Sequence, residues 1–246
     1  MYRKLFVLLL PCALSGAAAF ASPANDLVNE AISKIQGGNL KEANVLLDKA
    51  LVKEPNNVDA LNDKAGLLQM MGDSKGALKI FDKLLVLSPK NATFWFNRGK
   101  INSGLKDPKK AIDDYNHAIK LNPKFAMAFS NRGNDKSVTG DTAGAIADLK
   151  EAEKVDPKFP ESYNNLGMIY FDQKKFDEAM RQFDEAVKLD PGYGRCLVNR
   201  GRLKLALKQK DKAVADFKLA QTAFNKQGDD LGPDFIQKEL KRANVQ

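Results

Sequence analysis

Residues 160–193 read PESYNNLGMIYFDQKKFDEAMRQFDEAVKLDPGY, and this stretch of 34 residues decides the fold because its pattern recurs along the chain. The plainest sign of recurrence is a proline at every 34th position, namely Pro55, Pro89, Pro123, Pro157 and Pro191. A fixed period of this length is typical of stacked helical hairpins, each of which buries its apolar face against its neighbours. Six repeats are predicted in this register, at 24–57, 58–91, 92–125, 126–159, 160–193 and 194–227.

Each repeat divides into two amphipathic helices. Residues 4, 8 and 11 of a repeat fall on one face of a first helix, and residues 20, 24 and 27 fall on one face of a second. Small residues at position 8 allow the paired helices to approach closely, and these are Ala31, Ala65, Gly99, Gly133, Gly167 and Gly201. The proline at position 32 cannot donate an intrahelical hydrogen bond, so it ends each second helix.

These residues resemble the tetratricopeptide repeat family, whose pattern has an aromatic at 4, a small residue at 8, alanine at 20 and 27, an aromatic at 24 and proline at 32. The third repeat shows the match in Trp95, Gly99, Ala111, Tyr115, Ala118 and Pro123. The resemblance implies an all-α fold, a right-handed superhelical solenoid of six antiparallel helical hairpins. It also implies a protein or peptide partner, bound on the first helices that line the concave groove.

The two ends of the chain depart from the repeat. Asn225 stands where the sixth proline is expected, so the second helix of that repeat is predicted to run on. Residues 228–246 are predicted to contain a helix that caps the open end of the stack, with Ile236, Leu240 and Ala243 on one face.

Residues 1–21 are predicted to be a signal peptide. Arg3 and Lys4 precede an apolar run over 5–20, and Ala19-Phe20-Ala21 has the small-x-small form of a cleavage site. An uncleaved anchor is the alternative. Export to a bacterial periplasm or out of the cell is therefore expected, and the single cysteine that remains, Cys196, is interpreted as a packing residue.

The positive charge is concentrated near the C-terminus. The chain carries a net charge of +8, and removing Arg3 and Lys4 leaves +6. Between Arg195 and Lys218, eight basic and two acidic residues account for that excess. Since the rest of the chain is balanced in net charge, nucleic acid is not an expected partner, and membrane contact is expected to be peripheral at most.

Position 6 of each repeat lies opposite the core stripe of the first helix. Asparagine occupies it in five repeats, and the predicted peptide-binding amides are Asn29, Asn97, Asn131, Asn165 and Asn199. A side-chain amide both donates and accepts hydrogen bonds, which suits the backbone of an extended peptide. Apolar anchors are predicted beside them at Phe96, Met127, Met168 and Phe171. Local hydrogen bonding within the helix surface is the open alternative for the amides.

Arginines supply a second set of candidates. Arg195 and Arg202 are predicted to point into the C-terminal end of the groove, where they would hold an acidic group. Arg98, Arg132 and Arg200 at position 7 are instead expected to cover apolar surface with their stems while the guanidinium reaches water.

The sequence contains no arrangement that calls for catalysis. Its single histidine, His117, makes neither a metal site nor a catalytic pair, and no glycine-rich phosphate loop is present. No cofactor is expected. The predicted function is a non-catalytic scaffold or adaptor of the cell envelope that binds an extended peptide or partner protein. The alternative is a scaffold whose basic C-terminal repeat binds cell-wall polymer, a lipid headgroup or an acidic protein.

Overall fold

A computed structural model describes residues 22–227 and 231–245, and within these ranges the regular secondary structure is entirely α-helical. The predicted signal peptide at 1–21 lies outside the described residues. The chain divides after Pro123 into two compact units, an N-terminal unit and a C-terminal unit. The predicted all-α class is confirmed.

The N-terminal unit consists of three antiparallel hairpins. Its helices are α1 (Pro23–Gln36), α2 (Leu40–Lys53), α3 (Val58–Met70), α4 (Ser74–Leu87), α5 (Ala92–Gly104) and α6 (Pro108–Leu121). Each odd-numbered helix is the first helix of a repeat and packs against the second helix that follows it. The core of this unit includes Leu47 and Leu67 in one cluster and Phe81 and Phe94 in another.

The C-terminal unit consists of three hairpins and one further helix. Its helices are α7 (Ala126–Val138), α8 (Thr142–Val155), α9 (Pro160–Asp172), α10 (Phe176–Leu189), α11 (Gly194–Ala206), α12 (Lys210–Gln227) and α13 (Leu231–Val245). Helix α12 has 18 residues, against 14 in α8 and α10, because no proline ends it. Helix α13 buries Ile236 and Ala243 against a cluster that includes Leu197 and Phe217.

Short polar side chains start many of the helices. In three repeats an aspartate before the second helix accepts a hydrogen bond from a backbone N–H one turn into it, as Asp73 does from Gly76 at 2.8 Å. These caps satisfy backbone donors that have no partner within the helix. The turn between paired helices takes a positive φ, supplied by glycine at Gly38, Gly72 and Gly140.

Small residues at position 8 let the paired helices touch, as the sequence predicts. A Cβ added at Gly167 would lie 2.6 Å from a ring carbon of Phe183, and one at Gly201 would lie 2.5 Å from Phe217. These two rings belong to position 24 of the same repeats and are fully buried. The aromatic ring of the second helix therefore occupies the space that the missing side chain leaves on the first.

The arginines at position 7 act differently from the expectation. Instead of directing their guanidinium groups to water, Arg98, Arg132 and Arg200 bind the aspartate at position 23 of their own repeat, with Nη2–Oδ1 distances of 2.6, 2.7 and 2.7 Å. Those partners are buried, and they are Asp114, Asp148 and Asp216. A buried carboxylate needs a cation or several donors, so the arginine joins the two helices of a hairpin by charge as well as by covering apolar surface.

Candidate functional site

The candidate site comprises the exposed sides of the first helices, and the two units differ there. In the N-terminal unit Asn29 is exposed, whereas Asn97 retains only 2% of its surface and its Nδ2 has no hydrogen-bond partner among the described residues. Phe96 is also 2% exposed, and its ring lies 5.9 Å from that of Tyr115. This corrects the prediction for Phe96, which is a core residue and not a surface anchor.

The acidic residue of the position 6 row, Asp63, lies close to Asp59. Burial and, second, the nearby charge of Asp59 raise the pKa of the Asp63 carboxyl to about 6, against a smaller opposing effect of a hydrogen bond with Asn62. Burial also lowers the pKa of the Lys100 ammonium, whose Nζ lies 5.6 Å from the centre of the Phe96 ring. The first helices of the N-terminal unit therefore hold two charged groups in partly desolvated surroundings.

In the C-terminal unit the amides bind one another. Asn165 Nδ2 donates to Ser130 Oγ at 3.2 Å and thereby connects α9 to α7. Asn199 Nδ2 donates to Asn164 Oδ1 at 2.9 Å and connects α11 to α9. Asn164 Nδ2 in turn donates to Asn165 Oδ1 at 3.2 Å. Asn165 and Asn199 thus donate to neighbouring helices, and these hydrogen bonds align the three first helices of this unit.

The remaining predicted contacts of this unit are partly exposed. Met127 and Asn131 lie one turn apart on α7, and both are half-buried. On α9, Met168 and Phe171 pack partly against a core cluster that contains Phe183, and the Phe171 ring lies 5.9 Å from that of Phe176. Of the predicted contact residues in this unit, Met127 and Asn131 therefore contribute least to core packing.

The two predicted anion-binding arginines differ in whether they form an ion pair. Arg195 is exposed, but Arg202 is bound to Glu239 of α13, with an Nη2–Oε1 distance of 2.6 Å. The Glu239 side chain is buried, and the Arg202 guanidinium also lies over the Phe235 ring at 5.1 Å from its centre. This corrects the prediction for Arg202, because its charge attaches α13 to α11 and is not open to a ligand.

Across the described ranges, no group of three or more histidine, cysteine or acidic residues is arranged to hold a metal ion. The same ranges contain no helix with the length and apolarity needed to cross a bilayer. Cys196 is fully buried and burial raises the pKa of its thiol to about 12, which leaves it in the unreactive protonated form.

Sequence profiles agree with the repeat pattern. Profiles described as tetratricopeptide repeat match residues 34–95, 92–125, 160–193 and 194–226, and one described as TPR repeat matches residues 139–173. The chain belongs to the tetratricopeptide repeat family. Members of this family act as protein-interaction scaffolds, and the chain has that architecture. A search of curated proteins gives no significant match.

Solved structures with the same fold include a pilus biogenesis factor. The structure of PilW, a type IV pilus biogenesis factor, matches with a TM-score of 0.71 and 21% identity over 83% of this chain and 96% of that one. PilF of Pseudomonas aeruginosa matches with a TM-score of 0.67 and 20% identity over 88% and 97%. A tetratricopeptide repeat protein of Parabacteroides merdae matches with a TM-score of 0.62 and 22% identity over 89% and 98%. At these identities the likeness concerns the fold.

Proposed function

We propose that the protein is a non-catalytic adaptor of the cell envelope that binds an extended peptide or partner protein on the first helices of its repeats. The observation that carries the proposal is the surface of α7 and α9, where Met127 and Asn131 lie beside the hydrogen-bonded Ser130 and Asn165. Partly exposed apolar groups next to a few fixed polar groups are what peptide recognition requires. The exported location is supported by the apolar segment before Ser22 and by the shared fold of PilW, a type IV pilus biogenesis factor.

The proposal is tested by partner capture with variants that leave the core intact. The tagged protein is used to isolate partners from the compartment in which it is produced, and the yield is compared with that of Met127→Ala and Asn131→Ala. We expect each variant to reduce the captured partner about five- to tenfold, which is the loss of a contact worth about 1 kcal/mol.

The control is Lys150→Ala, which alters an exposed residue of the second helix α8. Capture by this variant should equal that of the unaltered protein, and all three variants should retain the same melting temperature. If capture is unchanged in Met127→Ala and Asn131→Ala, the first helices of this unit do not bind the partner.

A further inference from the structure

Two neighbouring second helices of the N-terminal unit expose the same mixture of side chains. Positions 22, 26 and 29 of the first two repeats are spaced four and three residues apart, so they lie on one side of a helix. We call these residues the lysine–valine face, and they are Val45, Lys49 and Val52 on α2 and Lys79, Lys83 and Val86 on α4. Val52 and Val86 are each 81% exposed.

The two helices present this face side by side. Lys83 of α4 donates through its ammonium to the backbone carbonyl of Pro55, which lies just beyond the end of α2. Lys83 thus lies next to the end of α2 that carries Val52. This hydrogen bond joins α4 to the segment that follows α2.

The acids near the face have partners on the first helices. Asp48 of α2 binds Lys64 at 2.7 Å, and Asp82 of α4 binds Arg98 at 2.8 Å. Lys64 offsets Asp48, whereas Arg98 is shared between Asp82 and the buried Asp114. Because α2 and α4 together carry six lysines and three acidic residues, the two helices keep an excess of positive charge. The balanced net charge of the sequence conceals this excess because the first helices α1 and α3 each carry a net negative charge.

We propose that the lysine–valine face binds a membrane surface that contains anionic lipids. The binding is peripheral, with lysine ammonium groups at the headgroups and the valine side chains entering the layer between them. This interaction is separate from the partner bound by the first helices.

The composition of the face favours a bilayer over an acidic protein. Protein interfaces are depleted in lysine at their centre and depend on aromatic anchors that fill pockets. This face has three lysines, no aromatic residue, and valines that stand apart from one another. Fluid headgroups can surround each isolated side chain, and long lysine stems reach the headgroup charges without a complementary partner shape.

Vesicle sedimentation tests the proposal with the protein as purified from its native compartment. We expect binding to phosphatidylcholine vesicles that contain about one third phosphatidylglycerol, and no binding to phosphatidylcholine alone. The variant K49E/K79E/K83E should bind the anionic vesicles roughly 100-fold more weakly, since each lysine near a surface contributes about a fivefold effect. V52S/V86S, which leaves the net charge unchanged, should also weaken binding, which charge attraction alone does not explain.

The matched control is K150E/K154E/K188E, which changes net charge equally on exposed second-helix lysines of the C-terminal unit. It should retain vesicle binding within about threefold, and circular dichroism should show that all variants are folded. Equal loss in the control would show a general charge effect and overturn the proposal. Binding to soluble polyglutamate that K49E/K79E/K83E abolishes, without binding to anionic vesicles, would assign the face to an acidic protein and would also overturn it.

Discussion

At the scale of single residues, the side chain at position 5 of one repeat determines which hydrogen bond the asparagine at position 6 of the next repeat can form. Ser130 and Asn164 at position 5 accept hydrogen bonds from Asn165 and Asn199 at position 6 of the following repeat. A helical wheel treats each helix alone, so it cannot show that a neighbouring first helix covers position 5. The sequence also predicts an exposed Phe96, whose ring instead packs near that of Tyr115 on the second helix of its own repeat.

A second residue-scale feature is the carboxyl of Glu153 on α8. Its Oε1 is buried without a hydrogen-bond partner among the described residues, and burial raises the pKa of this carboxyl to about 7, with Lys150 opposing the shift. The folded protein therefore holds this proton more tightly than the unfolded chain does. Stability from this group is complete below the ordinary glutamate pKa and is lost as the pH rises towards 7.

We predict that the melting temperature falls as the pH is raised from about 5 to 8, and that Glu153→Gln reduces this fall. The effect on the free energy of unfolding is about 1–2 kcal/mol once solvent screening of the partly exposed side chain is allowed for. Thermal unfolding followed by circular dichroism measures it. Glu151→Gln, which changes an acid paired with Lys154, is the control and should keep the full pH dependence. Equal pH dependence in Glu153→Gln and the unaltered protein would contradict this account.

At the scale of the helical hairpin, most of the fold could be predicted because the period of the repeat can be recognised directly in the sequence. Prolines, small residues and aromatics recur in register, and each has a local consequence for a helix end or a helix contact. The ion pairs within hairpins were missed, although Arg98–Asp114, Arg132–Asp148 and Arg200–Asp216 share a spacing of 16 residues. That constant spacing is the signal that would have found them.

The chain contains its own alternative to this ion pair. Repeat 5 has Leu166 and Gln182 at the positions where repeats 3, 4 and 6 have arginine and aspartate. We predict that Arg98→Leu lowers the free energy of unfolding by about 3 kcal/mol, because the buried Asp114 loses its cation. The double variant R98L/D114Q should recover to within about 1 kcal/mol, since it reproduces the pairing of repeat 5.

Chemical denaturation measures the three free energies. Arg181→Leu, an exposed arginine of α10, is the control and should change stability by less than about 0.5 kcal/mol. If the free energy of unfolding of the double variant is as low as that of Arg98→Leu, the prediction is wrong. The ion pair would then contribute more stability than is needed to offset the cost of burying Asp114.

At the scale of the whole molecule, the helical repeats separate two kinds of surface. First helices carry the amides and apolar groups proposed to bind a partner, and second helices of the N-terminal unit carry the lysine–valine face. The sequence predicts the first kind through its period, but it does not predict the second because opposite charges cancel in a net count. An adaptor that holds a partner beside an anionic membrane is the role that these two proposals together describe.

Site-specific photocrosslinking tests the central proposal most directly. A benzophenone amino acid is placed at position 127 or 131 on α7, or at position 147, where an exposed alanine of the second helix α8 serves as the control. In the cells that produce the protein, we predict one discrete adduct, with the same partner, from positions 127 and 131 and none from position 147. An adduct of equal yield from position 147, or no adduct from either position on α7, would contradict the account.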